Sequence, residues 1–231
     1  MRKLVLFDID GTLVLTGGAG LRAMNRALEE VFGHAGGLDG IPLAGRTDWA
    51  ILSDAVRRIG RSLDGALLAD LEQRYVNHMT EEIQHPGDGR KAVMPGVRQI
   101  LDALERRDDV LVGLVTGNFE AGARVKLGHF DLWRYFRCGA FGGDAADRNA
   151  LVPFARERAR ACGLPDIPDE DIVVVGDTPH DVRCAHAVGA IAVAVATGTS
   201  SVAELRGAGA EHVFEDLSDV QAFLRLLNDV R

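Results

Sequence analysis

The chain has 231 residues, 47% of them hydrophobic, and carries 26 Lys and Arg against 34 Asp and Glu. This length suits one large core with an inserted subdomain. The formal net charge of -8 disfavours nucleic acid and anionic membranes as main partners. No apolar stretch reaches the roughly 18 residues of a membrane span. An apolar strand predicted from the third or fourth residue leaves no room for a signal peptide, so we expect a cytoplasmic protein.

Apolar runs and helical patterns alternate along the chain. Four apolar runs predict buried parallel strands, at 4–9, 110–115, 172–175 and 191–196, and shorter strands are expected near 136–138 and 212–214. Helical patterns cover 19–33, 47–59, 64–84, 96–107, 119–128, 150–162, 180–188 and 217–229. The alternation predicts an α/β fold, a doubly wound parallel sheet with helices on both faces.

The interval between the first two long strands is too long for a single crossover. It holds three of the predicted helices, and Pro86-Gly87-Asp88-Gly89 breaks the chain before it returns to the sheet. We therefore expect an α-helical subdomain at 15–90, inserted into a core formed by 1–14 and 91–231. The glycine-rich stretch Gly17-Gly18-Ala19-Gly20 is the predicted hinge into it.

The first strand ends in Asp8-Ile9-Asp10-Gly11-Thr12. Side chains alternate along a strand, so Asp8 and Asp10 project to the same side. Two carboxylates at the exit of a buried strand cost free energy unless they meet a metal, a proton or a reactant. An Asp-Gly turn without chemistry is the structural alternative.

Two more polar motifs follow apolar strands. Thr116-Gly117-Asn118 comes after 110–115, and Gly176-Asp177-Thr178-Pro179-His180-Asp181 comes after 172–175. The carboxyl ends of parallel strands share one edge of a sheet, so the three motifs are expected to converge. Each later motif also fits a helix N-cap, which is its structural alternative.

The opening motif resembles the Asp-x-Asp-Gly-Thr signature of the haloacid dehalogenase-like (HAD) superfamily, most members of which transfer phosphoryl groups. The resemblance implies that Asp8 is the nucleophile and that Asp10 is the general acid and base. It also implies that the 15–90 insertion is a cap closing over the site. The layout is closest to phosphoglycolate phosphatase-like members with a helical cap.

The later motifs resemble further HAD motifs. By that resemblance the Thr116 hydroxyl holds a phosphoryl oxygen, with Gly117 and Asn118 lining the phosphate and substrate site. Mg²⁺ is implied as the cofactor, since hard oxygen ligands suit it. Its expected ligands are the Asp8 carboxylate, the Asp10 backbone carbonyl and Asp177, and Asp181 supports the metal or its waters.

The family's third motif, a lysine beside the nucleophile, is altered here. We take Arg148, just before the helix at 150–162, as its replacement, because arginine is always charged and can fork onto phosphate. A solvated surface arginine is the alternative, and Lys126 is the fallback cation. Asp144 and Asp147 would either touch the shell around the metal or cap a helix.

In the predicted cap, Gly45-Arg46-Thr47-Asp48-Trp49 lies at a loop-to-helix junction and is expected to face the substrate. Arg46 would pair with a substrate anion. The alternative is that Thr47 caps the helix and Trp49 belongs to the core of the cap.

These observations predict a Mg²⁺-dependent phosphatase that hydrolyses a small phosphomonoester through an aspartyl-phosphate. A dehalogenase would not need the acid at Asp10, and a phosphonate-cleaving enzyme would need a cap lysine, for which only Lys91 at the edge is near. A sugar-phosphate mutase uses the same motifs, but usually has a histidine in the hinge. A non-catalytic binding protein on this scaffold is the alternative from another class.

Overall fold

The computed structural model describes residues 2–33, 35–87 and 89–229. Asp88, which belongs to the predicted break at 86–89, lies outside the described residues, as does His34. Within them eight strands are found: β1 (Lys3–Phe7), β2 (Val14–Thr16), β3 (Lys91–Val93), β4 (Val110–Val115), β5 (Cys138–Ala140), β6 (Ile172–Gly176), β7 (Ile191–Val195) and β8 (His212–Phe214). Six of them form a parallel sheet in the order β5-β4-β1-β6-β7-β8. The predicted α/β fold is confirmed.

Nine helices are described in the same residues. They are α1 (Ala19–Phe32), α2 (Asp48–Arg58), α3 (Gly65–Glu82), α4 (Val97–Glu105), α5 (Glu120–His129), α6 (Leu151–Ala161), α7 (Pro179–His186), α8 (Val202–Gly207) and α9 (Val220–Asp229). None of the described helices combines the length and apolar character needed to cross a bilayer. The six-residue α8 was not predicted, because a segment this short carries too little periodicity.

The central strand β1 is buried on both faces. Val5 and Phe7 pack into a cluster with α4, α5 and α9, whereas Leu4 and Leu6 pack with α6, α7 and α8. A continuous apolar run is what a parallel strand covered on both sides requires. The two neighbours β4 and β6 pair with β1 in register, so their carboxyl ends meet beside Asp8.

Between β2 and β3 the chain forms α1, α2 and α3, which share a separate apolar cluster. The two strands pair as an antiparallel ribbon, with Val14 opposite Val93. At three residues each they were too short to predict from the sequence. We call α1–α3 the cap helices; the division into a core of 1–14 and 91–231 and a cap of 15–90 stays a prediction.

Candidate active site

The turn after β1 presents its two carboxylates differently. Asp8 is buried, and its backbone N–H donates to Val175 O at 2.9 Å, which ties it to β6. The side chain of Asp10 is 45% exposed. Gly11 has a φ of +81°, and a Cβ there would lie 2.5 Å from Asp177 Oδ2, so the turn requires glycine. Asp177 is thereby brought against the opening motif.

Asp8, Asp177 and Asp181 form a buried acidic cluster whose ligand oxygens lie within 4.8 Å of one another. Burial and the Asp181 and Asp8 charges raise the pKa of Asp177 to about 8. Burial raises the pKa of Asp8 to about 6, although Arg148 opposes the shift. A cation would relieve this crowding of charge, and the oxygen donors fit Mg²⁺. Asp8 and Asp177 would hold it, together with the Asp10 backbone carbonyl.

Asp181 already has hydrogen-bond partners. Its Oδ2 accepts from the Thr178 backbone N–H at 3.0 Å and from the Thr178 hydroxyl at 2.7 Å, which completes a capping box at the start of α7. Asp181 therefore caps α7, as the structural alternative predicted, and also lies in the acidic cluster where the metal is expected. Asp181 is suited to supporting the cluster, with its remaining oxygen turned to Arg148.

A segment that we did not predict as part of the site packs against Asp177 and the opening turn. Thr197 and Gly198 follow β7, and the Thr197 hydroxyl donates to Gly11 O at 2.5 Å. A Cβ at Gly198 would lie 1.7 Å from Asp177 Oδ2, so only glycine fits. The Thr12 hydroxyl donates to Asp177 Oδ1 at 3.1 Å. The rule that polar residues gather after parallel strands, applied to β7, would have found this segment.

Arg148 lies beside Asp8. The side chain is buried, Nη2 lies 3.2 Å from Asp8 Oδ1, and the same nitrogen donates to Asp181 Oδ1. It belongs to a one-turn helix, Arg148–Ala150, which Asp147 caps. Nε of Arg148 is buried with no acceptor among the described residues. A guanidinium that lines the cavity beside Asp8 has the charge that a phosphoryl oxygen needs.

Asp144 and Asp147 keep away from the acidic cluster. Asp144 forms an ion pair with Arg158, with Oδ1 and Nη2 2.6 Å apart, and also accepts from the Phe141 N–H. Asp147 accepts from the Asn149 N–H at 3.0 Å. Asp147 thus fits the helix-capping alternative, whereas Asp144 caps no described helix and is held by Arg158.

Lys126 lies beside the other aspartate. Its Nζ is 2.6 Å from Asp10 Oδ2 and 2.6 Å from Asn118 Oδ1. Burial opposes the charged form, but the Asp10, Tyr75 and Asp48 groups more than compensate and raise the pKa of Lys126 well above its usual range. Arg148 and Lys126 were the two candidates for the cation of the third motif. They occupy different places in the site: Arg148 lies beside Asp8 and Lys126 beside Asp10.

The Thr116-Gly117-Asn118 segment connects these groups. Asn118 Nδ2 donates to Asp10 Oδ2 at 2.9 Å and to the Thr116 hydroxyl at 2.8 Å. Gly117 and Asn118 line the cavity over Asp8, whereas Thr116 is wholly buried and does not line it. The predicted contact of Thr116 with a phosphoryl oxygen stays a prediction.

The start of α2 docks on this segment. The Asp48 N–H donates to Gly117 O at 2.7 Å, and the Phe119 N–H donates to Asp48 Oδ2 at 2.9 Å. The Thr47 hydroxyl also donates to Ala146 O at 2.7 Å. A Cβ at Gly117 would lie 2.0 Å from Arg46 O, so glycine permits the close approach. Burial raises the pKa of Asp48 to about 7.

Arg46 lines the cavity, but its charge has an internal partner. Nη2 lies 2.7 Å from Asp54 Oδ2, and Nη1 donates to Pro42 O at 3.2 Å. Thr47 accepts from the Ala50 N–H as the N-cap of α2, and Trp49 packs against the cap cluster. The structural alternative for this segment is therefore present, and substrate binding by Arg46 stays a prediction.

The family model for haloacid dehalogenase-like hydrolases matches residues 5–186. The phosphoglycolate phosphatase of Mannheimia succiniciproducens is 25% identical over 228 residues, 94% of this chain and 96% of that protein. A hydrolase from Pseudomonas syringae has a similar structure, with a TM-score of 0.68 at 22% identity over 97% of this chain and 99% of that one. CbbY from Rhodobacter sphaeroides in complex with phosphate also has a TM-score of 0.68, at 17% identity over 95% and 96% of the two chains.

The chain belongs to the haloacid dehalogenase-like hydrolase family, as its motifs predicted. Within this family it is a phosphatase, that is, a phosphoric monoester hydrolase. Those two predictions are confirmed. The two solved structures agree with the α/β fold of the parallel sheet and its flanking helices.

Mg²⁺ is expected to raise the melting temperature of the wild-type protein by several degrees, because it relieves the repulsion within the buried acidic cluster. A concentration of 100 times Kd would stabilise the fold by about 2.7 kcal/mol. Asp177→Asn should remove most of this response. Asp166→Asn, which alters an exposed carboxylate paired with Arg160, should keep it. Thermal unfolding with and without Mg²⁺ measures the effect, and an equal response in Asp177→Asn and wild type would contradict it.

Asp48→Asn is expected to stabilise the protein more at pH 8 than at pH 5. The folded pKa of Asp48 is raised from 3.8 to about 7, so its contribution to stability is present below pH 4 and lost as the pH rises through 7. Asparagine stays neutral and keeps an oxygen for the Phe119 N–H. A gain on the order of 1 kcal/mol or more at pH 8 should appear in denaturant unfolding. Asp64→Asn, at the exposed cap of α3, should show no such pH difference.

Proposed function

We propose that the protein is a Mg²⁺-dependent phosphatase that hydrolyses a small phosphomonoester through an aspartyl-phosphate at Asp8. The observation that carries the proposal is the separate pairing of the two aspartates. Asp8 is buried with Arg148 and the acidic cluster, whereas the more exposed Asp10 pairs with Lys126. A nucleophile and an acid–base group need such different surroundings.

In the first half of the proposed reaction, an Asp8 carboxylate oxygen forms a bond to phosphorus. The bond between phosphorus and the leaving oxygen breaks, and Asp10 gives that oxygen a proton. Arg148 holds Asp8, with Nη2 3.2 Å from Oδ1, and lines the cavity, so its charge would stabilise a phosphoryl group on Asp8. The bound Mg²⁺ would supply charge stabilisation for the phosphoryl oxygens. Gly117 and Asn118 border the space that the phosphate would occupy.

In the second half, Asp10 takes a proton from a water molecule, whose oxygen forms a new bond to phosphorus. The bond to Asp8 breaks, and phosphate and the free carboxylate remain. Lys126 and Asn118 both bind Asp10 Oδ2, so they keep its carboxylate turned toward the cavity. Lys126 is therefore a positioning residue for the acid–base step.

The rival activities fit the site less well. The Lys91 ammonium donates to the Ile83 and His85 carbonyls and does not line the cavity, which disfavours imine chemistry. The hinge has glycines where a mutase usually has histidine. The presence of Asp8, Asp10 and Asp177 disfavours a purely binding role. The phosphoglycolate phosphatases among the relatives support a small phosphomonoester as substrate. We also propose a cytoplasmic location.

Asp8→Asn is expected to abolish Mg²⁺-dependent hydrolysis of p-nitrophenyl phosphate, with a loss of about 10³-fold or more, because the amide cannot form the covalent intermediate. Steady-state rates of wild type and variant, each with Mg²⁺ and with a chelator, measure the loss. Retained melting temperature in the variant shows that it folds. Activity that survives in folded Asp8→Asn would overturn the proposed mechanism.

Lys126→Met is expected to lower kcat/KM for an alkyl phosphate by about 10²-fold, but that for p-nitrophenyl phosphate much less, because kcat/KM reports the steps up to release of the leaving group and not the later attack of water. The alkyl leaving group needs the proton that Asp10 supplies, whereas p-nitrophenolate leaves without it. Arg148→Met should slow both substrates alike, because it acts on Asp8 and the phosphoryl group. Rates of the two substrates in the two variants test this division, and equal losses in Lys126→Met would contradict it.

A further inference from the structure

The cavity over Asp8 extends well beyond the space that a phosphate needs. Its volume is about 570 Å³, and it reaches from Asp8 and Asp177 to the cap helices. Cavities of about 300–1,000 Å³ take drug-sized ligands. The cap helices already contact the core here, through the hydrogen bond from Asp48 to Gly117. A two-carbon substituent on the phosphate would leave much of this volume empty.

The cavity lining includes a set of large apolar side chains. β2, the cap helices and the loop between α1 and α2 contribute six large aliphatic side chains to it: Leu15, Leu21, Met24, Leu38, Leu43 and Ile51. We call these six the apolar wall. Leu21 is 43% exposed although it lines the cavity. Contact with an apolar ligand would remove this surface from water and so favour binding.

The cations that line the cavity are largely committed. Arg46 pairs with Asp54, Lys126 with Asp10, and Arg148 with Asp8. Arg90 lines the cavity as an exposed side chain, next to Gly89, and within residues 2–33, 35–87 and 89–229 no hydrogen-bond partner of its guanidinium is described. A second anionic group placed against the apolar wall would lose its hydration, and of these four cations only Arg90 would be available to pair with it.

We infer that the substrate is a phosphomonoester of an alcohol with an extended apolar portion, larger than phosphoglycolate, which lies against the apolar wall. The inference rests on the proposed function for the position of the phosphate beside Asp8. It adds the chemistry of the leaving group: an alkyl or aryl body in place of a carboxylate. Arg90, at the exposed part of the lining, is the residue through which a carboxylate would have to be recognised instead.

Binding of phosphonates to the wild-type chain with Mg²⁺, measured by calorimetry, tests the inference without any turnover. The series is ethyl-, propyl-, butyl- and hexylphosphonate, with 3-phosphonopropionate as the carboxylate counterpart of propylphosphonate and the isostere of phosphoglycolate. A buried methylene is worth up to about fourfold in affinity. We expect a rise of roughly tenfold or more from ethyl- to hexylphosphonate, and 3-phosphonopropionate binding no more tightly than propylphosphonate.

Two matched variants locate the effect. Leu21 and Ile59 are 43% and 44% exposed, but only Leu21 lines the cavity. Leu21→Asn should weaken hexylphosphonate about threefold or more and ethylphosphonate less than twofold, while Ile59→Asn should change neither.

Three results would overturn the inference: affinity that is independent of chain length, no binding of hexylphosphonate, or 3-phosphonopropionate bound tenfold more tightly than propylphosphonate and weakened by Arg90→Ala. The expected binding series in a protein that hydrolyses no alkyl phosphate would contradict the proposed function alone.

Discussion

The architecture of the site depends on keeping ionisable carboxylates buried at the end of the central strand. Asp8 and Asp177 both have raised pKa values because burial disfavours their charge and their acidic neighbours repel it. Removing such groups from water costs free energy unless opposite charge is supplied. Arg148 supplies part of it from the protein, and the cluster is suited to take the rest from a divalent cation.

Glycines make this crowding possible. Gly11 and Gly198 lie where a Cβ would collide with the Asp177 carboxylate, so the opening turn and the segment after β7 can both close on it. Gly117 likewise lets the cap approach the core, because a Cβ on Gly117 would collide with the backbone of Arg46. Close backbone approach therefore joins the acidic cluster, the Thr116-Gly117-Asn118 segment and the cap helices in one contiguous arrangement.

The cap and the core divide the work of the site. Side chains after the parallel strands surround the phosphate end, where charge and hydrogen bonds dominate. The cap helices, β2 and the loop between α1 and α2 contribute the apolar wall. The hydrogen bonds of Asp48 hold the start of α2 on the core. Under the proposed function, the reaction chemistry belongs to the residues that follow the sheet strands, while the fit of the leaving group belongs to the cap. This separation is consistent with a family in which one scaffold serves different substrates.

The sequence by itself determined the sheet and the family, because buried strands are continuous apolar runs and the motifs fall directly after them. That rule was enough to select Asp8, Asp10 and Asp177, and the resemblance to the family's motifs favoured Arg148. Only the tertiary structure decided that Lys126 pairs with Asp10 and that Arg46 pairs with Asp54. It also decided that Thr197 binds the Gly11 carbonyl and that Gly198 packs against Asp177. Some of these partners are far apart in the chain, and others lie near several residues of the same charge that could form the pair instead. Their pairing depends on how helices and loops pack, which local sequence patterns do not specify.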